Sequence, residues 1–88
     1  FGVASAGRLV VDAGARRALE ERGASLLAAG VRGVVGSFEA DASVEVADED
    51  GEVFAKGLVR LGSTAVDAGR GEPGLVVIHR DDLVVNLP

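Results

Sequence analysis

Cysteine is absent from these 88 residues and histidine occurs once. Disulfides and thiolate metal sites are therefore excluded, and a structural zinc site lacks ligands. No apolar run approaches the roughly 18 to 20 residues that a membrane-spanning helix needs. No basic-then-apolar signal segment opens the chain. Basic side chains are missing from residues 33–55, which carry seven acids: Glu39, Asp41, Glu45, Asp48, Glu49, Asp50 and Glu52. Such a stretch argues against a surface that wraps nucleic acid broadly. Ser25, Ser37, Ser43 and Ser63 all lack the G-x-S-x-G elbow that exposes a serine nucleophile.

What is present suits one small globular domain. Hydrophobic residues make up 48% and charged residues 26%, with the apolar ones spread along the whole length, enough for a single modest core. The net charge is −5, unevenly placed. Residues 1–32 carry five arginines against three acids, whereas residues 56–88 balance four against four. Phosphate binding needs a basic footprint, so the candidate RNA-contact residues are Arg8, Arg16, Arg17 and Arg32 around the first helix. Lys56 and Arg60 are outliers of that set. The chain opens on Phe1 rather than Met, the start expected of an excised fragment.

Along the chain, RLVV (8–11) is a short β-type run. Asp12 is placed to cap a helix over AGARRALEER, which Gly23 stops. Ala15, Ala18 and Leu19 share one helix face, and the pairs Arg16–Glu20 and Arg17–Glu21 read as its solvated surface. SLLAAG (25–30) reads as a single helical turn with Leu26 and Leu27 inward. VRGVVGSF (31–38) reads as an extended stretch. SVEVA and VFAKGLVRL flank Asp50-Gly51, a strong hairpin signal, with Gly57 marking a bulge or bend. Residues 62–74 read as a Gly-rich loop, LVVI (75–78) as a buried strand, and LVV (83–85) as another beyond a charged corner. The acidic hairpin tip fails the spacing of a calcium loop, whose sixth position is Gly and twelfth Glu. Six or so short strands with one clear helix point to a small mixed barrel or roll.

Two motifs near the C-terminus suggest nucleotide chemistry and fail on context. Gly69, Gly71 and Gly74 spell G-x-G-x-x-G, but a loop precedes them and a strand follows, the inverse of a phosphate-binding turn. His79, Arg80, Asp81 and Asn86 spell H-R-D-x-x-x-x-N, yet only two residues remain for the D-F-G that a kinase loop requires. His79 reads as a hydrogen-bonded structural residue. Asp81 and Asp82, adjacent on a strand, would face opposite ways and form no carboxylate pair.

Four segments carry a family resemblance: G-R-L-V-V-D-A-G-A-x-x-A-L (7–19), S-L-L-A-A-G-V-R-G-V-V-G-S-F (25–38), A-K-G-L-V (55–59) and V-I-H-R-D-D-L-V-V (77–85). Together they resemble a PUA domain, and with the HRDDL ending, more narrowly the C-terminal PUA domain of bacterial glutamate 5-kinase. Where the family carries a longer, partly helical insertion, this chain has only GSTAVDAGRGEPG. The resemblance implies a mixed α/β, mainly β fold: a PUA-like pseudo-barrel of about six strands with one or two short flanking helices. Residues 1–88 would form one such domain. It implies a cytoplasmic parent enzyme that phosphorylates the γ-carboxylate of L-glutamate with ATP and magnesium, for proline synthesis. This stretch would be its non-catalytic accessory domain, with no cofactor of its own. Its partners would be the amino-acid-kinase domain of the same chain and a homo-oligomer formed through the parent, with no membrane. No catalytic residue carries over; His79, Arg80, Asp81 and Asp82 are a structural family signature. The alternative is an RNA-binding PUA module using the cations above, which the acidic balance disfavours.

Overall fold

The computed structural model describes residues 5–86, so Phe1 and the expectation attached to it lie outside the described residues. Strand β1 (Gly7–Val11) leads into helix α1 (Ala13–Arg22), whose limits match the sequence reading. The Asp12 carboxylate accepts the Ala15 N–H at 2.7 Å, satisfying one donor that a helix start leaves unpaired. Gly23 ends the helix in the left-handed conformation, with φ at 61°.

One sheet has the strand order β3 (Val31–Gly36), β1, β4 (Ser43–Ala47), β5 (Val53–Leu58) and β7 (Leu83–Val85). β1 runs parallel to β4, and the other neighbours are antiparallel. A separate two-stranded piece pairs β2 (Leu26–Leu27) with β6 (Val76–Ile78). Strand side chains alternate faces, so register sorts them into inward and outward rows. The inward rows are Val34–Leu9–Val46–Ala55–Val85 and Gly7–Val44–Gly57–Leu83. Leu9, Val44, Val46 and Ala55 are fully buried there, and Val44 and Val46 point inward as the SVEVA alternation predicts. The outward row reads Val35, Arg8, Glu45, Lys56, Val84 across all five strands.

Gly57 marks neither a slip nor a bulge. It pairs in register with Val44 and Leu83, and the register shifts fall instead at Val10/Val11 and Val46/Ala47. A β-carbon at Gly57 would lie 2.7 Å from the Asp82 carbonyl oxygen and 2.9 Å from Ile78 Cγ2. The position is a close approach of backbone to backbone.

Two further sequence expectations are corrected by the fold. SLLAAG is not a helical turn: Leu26 and Leu27 form β2, and only Ala28–Gly30 coil, as a 3-10 turn. Leu26 is buried, but Leu27 is 38% exposed. The cause is non-local, since Leu26 pairs with Ile78 and Leu27 with Val76. Residues 62–74 are not all loop either, because helix α2 (Ser63–Ala68) occupies the first half. Six residues are too few to hold a helix alone. Burial of Val66 holds this one, together with the Ser63 N–H donating to the Phe38 carbonyl at 2.8 Å.

The close approach at Gly57 makes a direct prediction. Gly57→Ala lowers unfolding free energy by about 1 to 3 kcal/mol, the cost of forcing a methyl into a filled site. Gly33→Ala, whose methyl would meet only Val10 at 3.8 Å, shifts the urea midpoint much less. Equal midpoints for the two variants would contradict the assignment.

Candidate functional site

The densest polar constellation ties α1 to the β4–β5 hairpin. Arg16 sits on the helix face toward the hairpin, its side chain only 24% exposed. One guanidinium nitrogen reaches Asp48 Oδ2 at 2.6 Å, another reaches Glu52 Oε1 at 2.6 Å, and Nε bonds Glu20 Oε1 at 3.2 Å. The guanidinium also lies over the Phe54 ring, 4.6 Å from its centroid. These carboxylates, Glu20 foremost, push the Arg16 pKa further above its ordinary value, so the charge is permanent. The sequence reading of Arg16–Glu20 as a solvated helix pair is therefore corrected. Arg17 with Glu21, 3.9 Å apart and 68% exposed on each side, does fit it.

Asp48 organises the turn. Its Oδ1 accepts the N–H groups of Asp50 at 2.9 Å and Glu52 at 3.0 Å, while Oδ2 takes Arg16. The Glu52 N–H above all, then the Arg16 and Asp50 donors, hold its pKa below the ordinary carboxylate value against an opposing desolvation.

The six candidate RNA-contact residues do not form one free basic patch. Arg8 pairs with Glu45 at 3.0 Å on the outer sheet face, and Lys56 stands across β4–β5 from the same Glu45. Arg32 lies 3.8 Å from Asp12, and Arg70 donates to the Arg32 carbonyl. Arg60 is exposed after β5, where its backbone N–H donates to the Val77 carbonyl. Among the described residues the arginines with no carboxylate partner are Arg22, Arg60 and Arg80. Two of these, Arg22 and Arg80, the sequence reading did not propose as contacts. A cation count reveals total charge, whereas pairing depends on which strands meet.

At the charged corner, His79 Nδ1 accepts the Asp81 N–H at 3.1 Å, and Asp81 Oδ2 lies 3.5 Å from the same nitrogen. Arg80 N–H donates to Ser25 Oγ at 2.9 Å, and Asp82 N–H to the His79 carbonyl at 2.8 Å. Arg80–Asp82 form a 3-10 turn between β6 and β7, the charged corner that the sequence reading placed there. The glycine motif lies between α2 and β6, where Gly69 N–H donates to the Ala65 carbonyl and Gly71 N–H to the Ala28 carbonyl, so these two amides bind backbone. No group of three or more His, Asp or Glu among the described residues could hold a metal. A mainly apolar groove lies between α1 and β2, lined by Ala15, Ala18, Leu19, Leu26 and Leu27, with Arg22 and Ser25 beside them.

Comparison with known proteins adds to this geometry. The family described as PUA domain matches residues 7–80. Glutamate 5-kinase 2 of Pseudoalteromonas translucida is 38% identical over 96% of the chain, which spans 26% of that relative. Glutamate 5-kinase of a Synechococcus species is 44% identical over 90% of the chain and 24% of the relative. The chain thus spans about a quarter of the length of these curated relatives. Among solved structures, a PUA domain from Aeropyrum pernix K1, in a tartrate complex, superposes with a TM-score of 0.75 and 32% identity. That match covers 84% of this chain and 41% of the other. A chain of the archaeal box H/ACA sRNP Nop10–Cbf5 complex gives 0.72 at 17% identity, over 93% of this chain and 25% of the other, a likeness of fold alone.

Asp48 gives the constellation a pH signature. Because its folded pKa is depressed, its contribution to stability is complete above the unfolded value and is lost as pH falls through the folded one. In Asp48→Asn the amide oxygen still accepts the two turn N–H groups, but the charge facing Arg16 is gone. Urea unfolding should show the wild type ahead of Asp48→Asn by a constant margin from about pH 5 to 8, shrinking below about pH 4. A margin independent of pH would contradict the ion pair's role.

Proposed function

This chain belongs to the PUA domain family, and from that premise we propose that it is the non-catalytic accessory domain of a glutamate 5-kinase. The observation that carries the proposal is the extent of the likeness. Nearly the whole chain matches glutamate 5-kinases at 38% and 44% identity, whereas the ribonucleoprotein chain shares the fold at 17%. In this reading the kinase chemistry belongs to the remaining three quarters of a parent polypeptide. There, ATP and magnesium would bind, and a γ-carboxylate oxygen of L-glutamate would attack the γ-phosphorus while the bond to the bridging oxygen of ADP breaks. The products are γ-glutamyl phosphate and ADP, the first step toward proline.

Several of the domain's arginines are paired with its own carboxylates, which supports an accessory role. Arg8 and Arg16 are hydrogen-bonded to carboxylates, and Arg17 and Arg32 each lie within 4 Å of one, so none of the four stands apart from an acid of the domain. His79 caps its own turn. No helix among the described residues is long and apolar enough to cross a membrane. We assign the parent to the cytoplasm, where ATP and glutamate are at hand, with any homo-oligomer formed through the parent.

A second reading, RNA binding, has one observation in its favour. Among the described residues Arg22, Arg60 and Arg80 are exposed with no carboxylate partner, and the backbone of Arg60 bonds to Val77 within β6 while that of Arg80 bonds to Ser25 just before β2. The net charge of −5 opposes it. Titration with structured RNA at about 50 mM salt, where backbone contacts are strongest, should show no binding. Salt-sensitive binding that Arg22→Gln, Arg60→Gln and Arg80→Gln abolish together would favour RNA instead.

The kinase reading is tested by trapping γ-glutamyl phosphate with hydroxylamine. The full-length parent should form the hydroxamate only with ATP, magnesium and L-glutamate together, and the isolated 88 residues should release no ADP above background. Turnover by the isolated domain, or none by the parent, would overturn it.

A further inference from the structure

The outward sheet face changes character from centre to edge. In its middle, Arg8 and Glu45 pair at 3.0 Å and Lys56 stands opposite Glu45, so charges of alternating sign compensate one another. Toward the β7 edge the face turns apolar. Val84, opposite Lys56, is 61% exposed, and Leu58, two residues along β5 on the same face, is 46% exposed. Among the described residues β7 pairs on one side only, with β5, so its other side is a sheet edge of three residues, Leu83–Val85. Unpaired edges and apolar side chains invite a cover.

We propose that this β5–β7 corner, formed by Leu58, Val84 and the edge of β7, is where the rest of the parent polypeptide docks. The inference rests on the reading that the parent is several times longer than this chain, as the relatives of which it spans 24% and 26% are. Size selects the occupant. Two apolar side chains and a three-residue edge offer far less than the roughly 800 Å² per partner of a free-standing complex, so neither a second copy nor a diffusing protein would be held. A covalently joined domain needs much less, because its effective concentration is on the order of millimolar. The compensated row beside the corner presents no field of one sign, which suits a neutral protein surface rather than a polyanion.

The test uses the full-length parent with Leu58→Cys, Val84→Cys or Asp50→Cys, the last at the exposed hairpin tip. These 88 residues contain no cysteine, so peptide mass assigns each label. Maleimide labelling of native protein, normalised to the urea-unfolded chain, should be at least tenfold slower at 58 and 84 than at 50. Equal rates at the three positions overturn the proposal. So does protection that vanishes on dilution, since a second copy would then be the cover. Should a variant fail to fold, hydroxyl-radical footprinting of the unsubstituted parent gives the same comparison at Leu58 and Val84. Protection without glutamate phosphorylation keeps the docking site and removes the kinase identity; phosphorylation without protection does the reverse.

Discussion

The fold depends on close approaches at two glycines of one inward row, Gly7 and Gly57, where a side chain would not fit. On the inward row Gly7–Val44–Gly57–Leu83, the glycines flank a fully buried valine. At Gly57, the Asp82 carbonyl and Ile78 occupy the volume of the missing β-carbon, which lets the β6–turn–β7 segment close onto β5. At Gly7, the Phe38 ring does the same, 2.7 Å from where that atom would lie. Phe38 in turn bonds Ser63 at the start of α2, its N–H donating to Ser63 Oγ at 3.1 Å. Both closures seal a tightly packed core of aliphatic side chains with Phe38 and Phe54, where even one methylene is felt.

Charge plays the complementary part on the outside. The acidic hairpin would repel itself and the acids of α1, yet Arg16 collects Glu20, Asp48 and Glu52 and sits over the Phe54 ring. One guanidinium thereby fixes the helix against the hairpin, using the planar fork that suits several carboxylates at once. The same arrangement bears on function. A domain whose arginines are largely occupied by its own acids has little left for phosphate, which favours protein contacts over catalysis or broad nucleic-acid binding.

Local signals in the sequence were legible, although β5 stops at Leu58, short of the Leu61 that the apolar run suggested. Asp12 and Gly23 bound α1, and the alternation of SVEVA with the Asp50-Gly51 turn defined the β4–β5 hairpin. What escaped was non-local. β2 is two residues long and exists only because β6, about fifty positions later, pairs with it. α2 has a single buried anchor, Val66, inside a stretch of glycine and polar residues. For the site, the family resemblance and the structural nature of the glycine motif could be read from order and spacing. Of the partners of Arg16, Glu20 could be read at i,i+4 spacing, but Asp48 and Glu52 could not, since they lie more than thirty residues away in sequence. Likewise Arg22 and Arg80 emerge as unpaired only once the sheet has placed every carboxylate.

The accessory character of the domain is the claim on which the functional reading turns. Deleting residues 5–86 from the full-length parent and measuring ATP-dependent glutamate phosphorylation tests it most directly. An accessory domain predicts that the truncated enzyme keeps kcat within about tenfold, a change of roughly 1.4 kcal/mol in the barrier. Complete loss of phosphorylation by a truncated chain that remains folded would place part of the catalytic apparatus within these residues and contradict the reading.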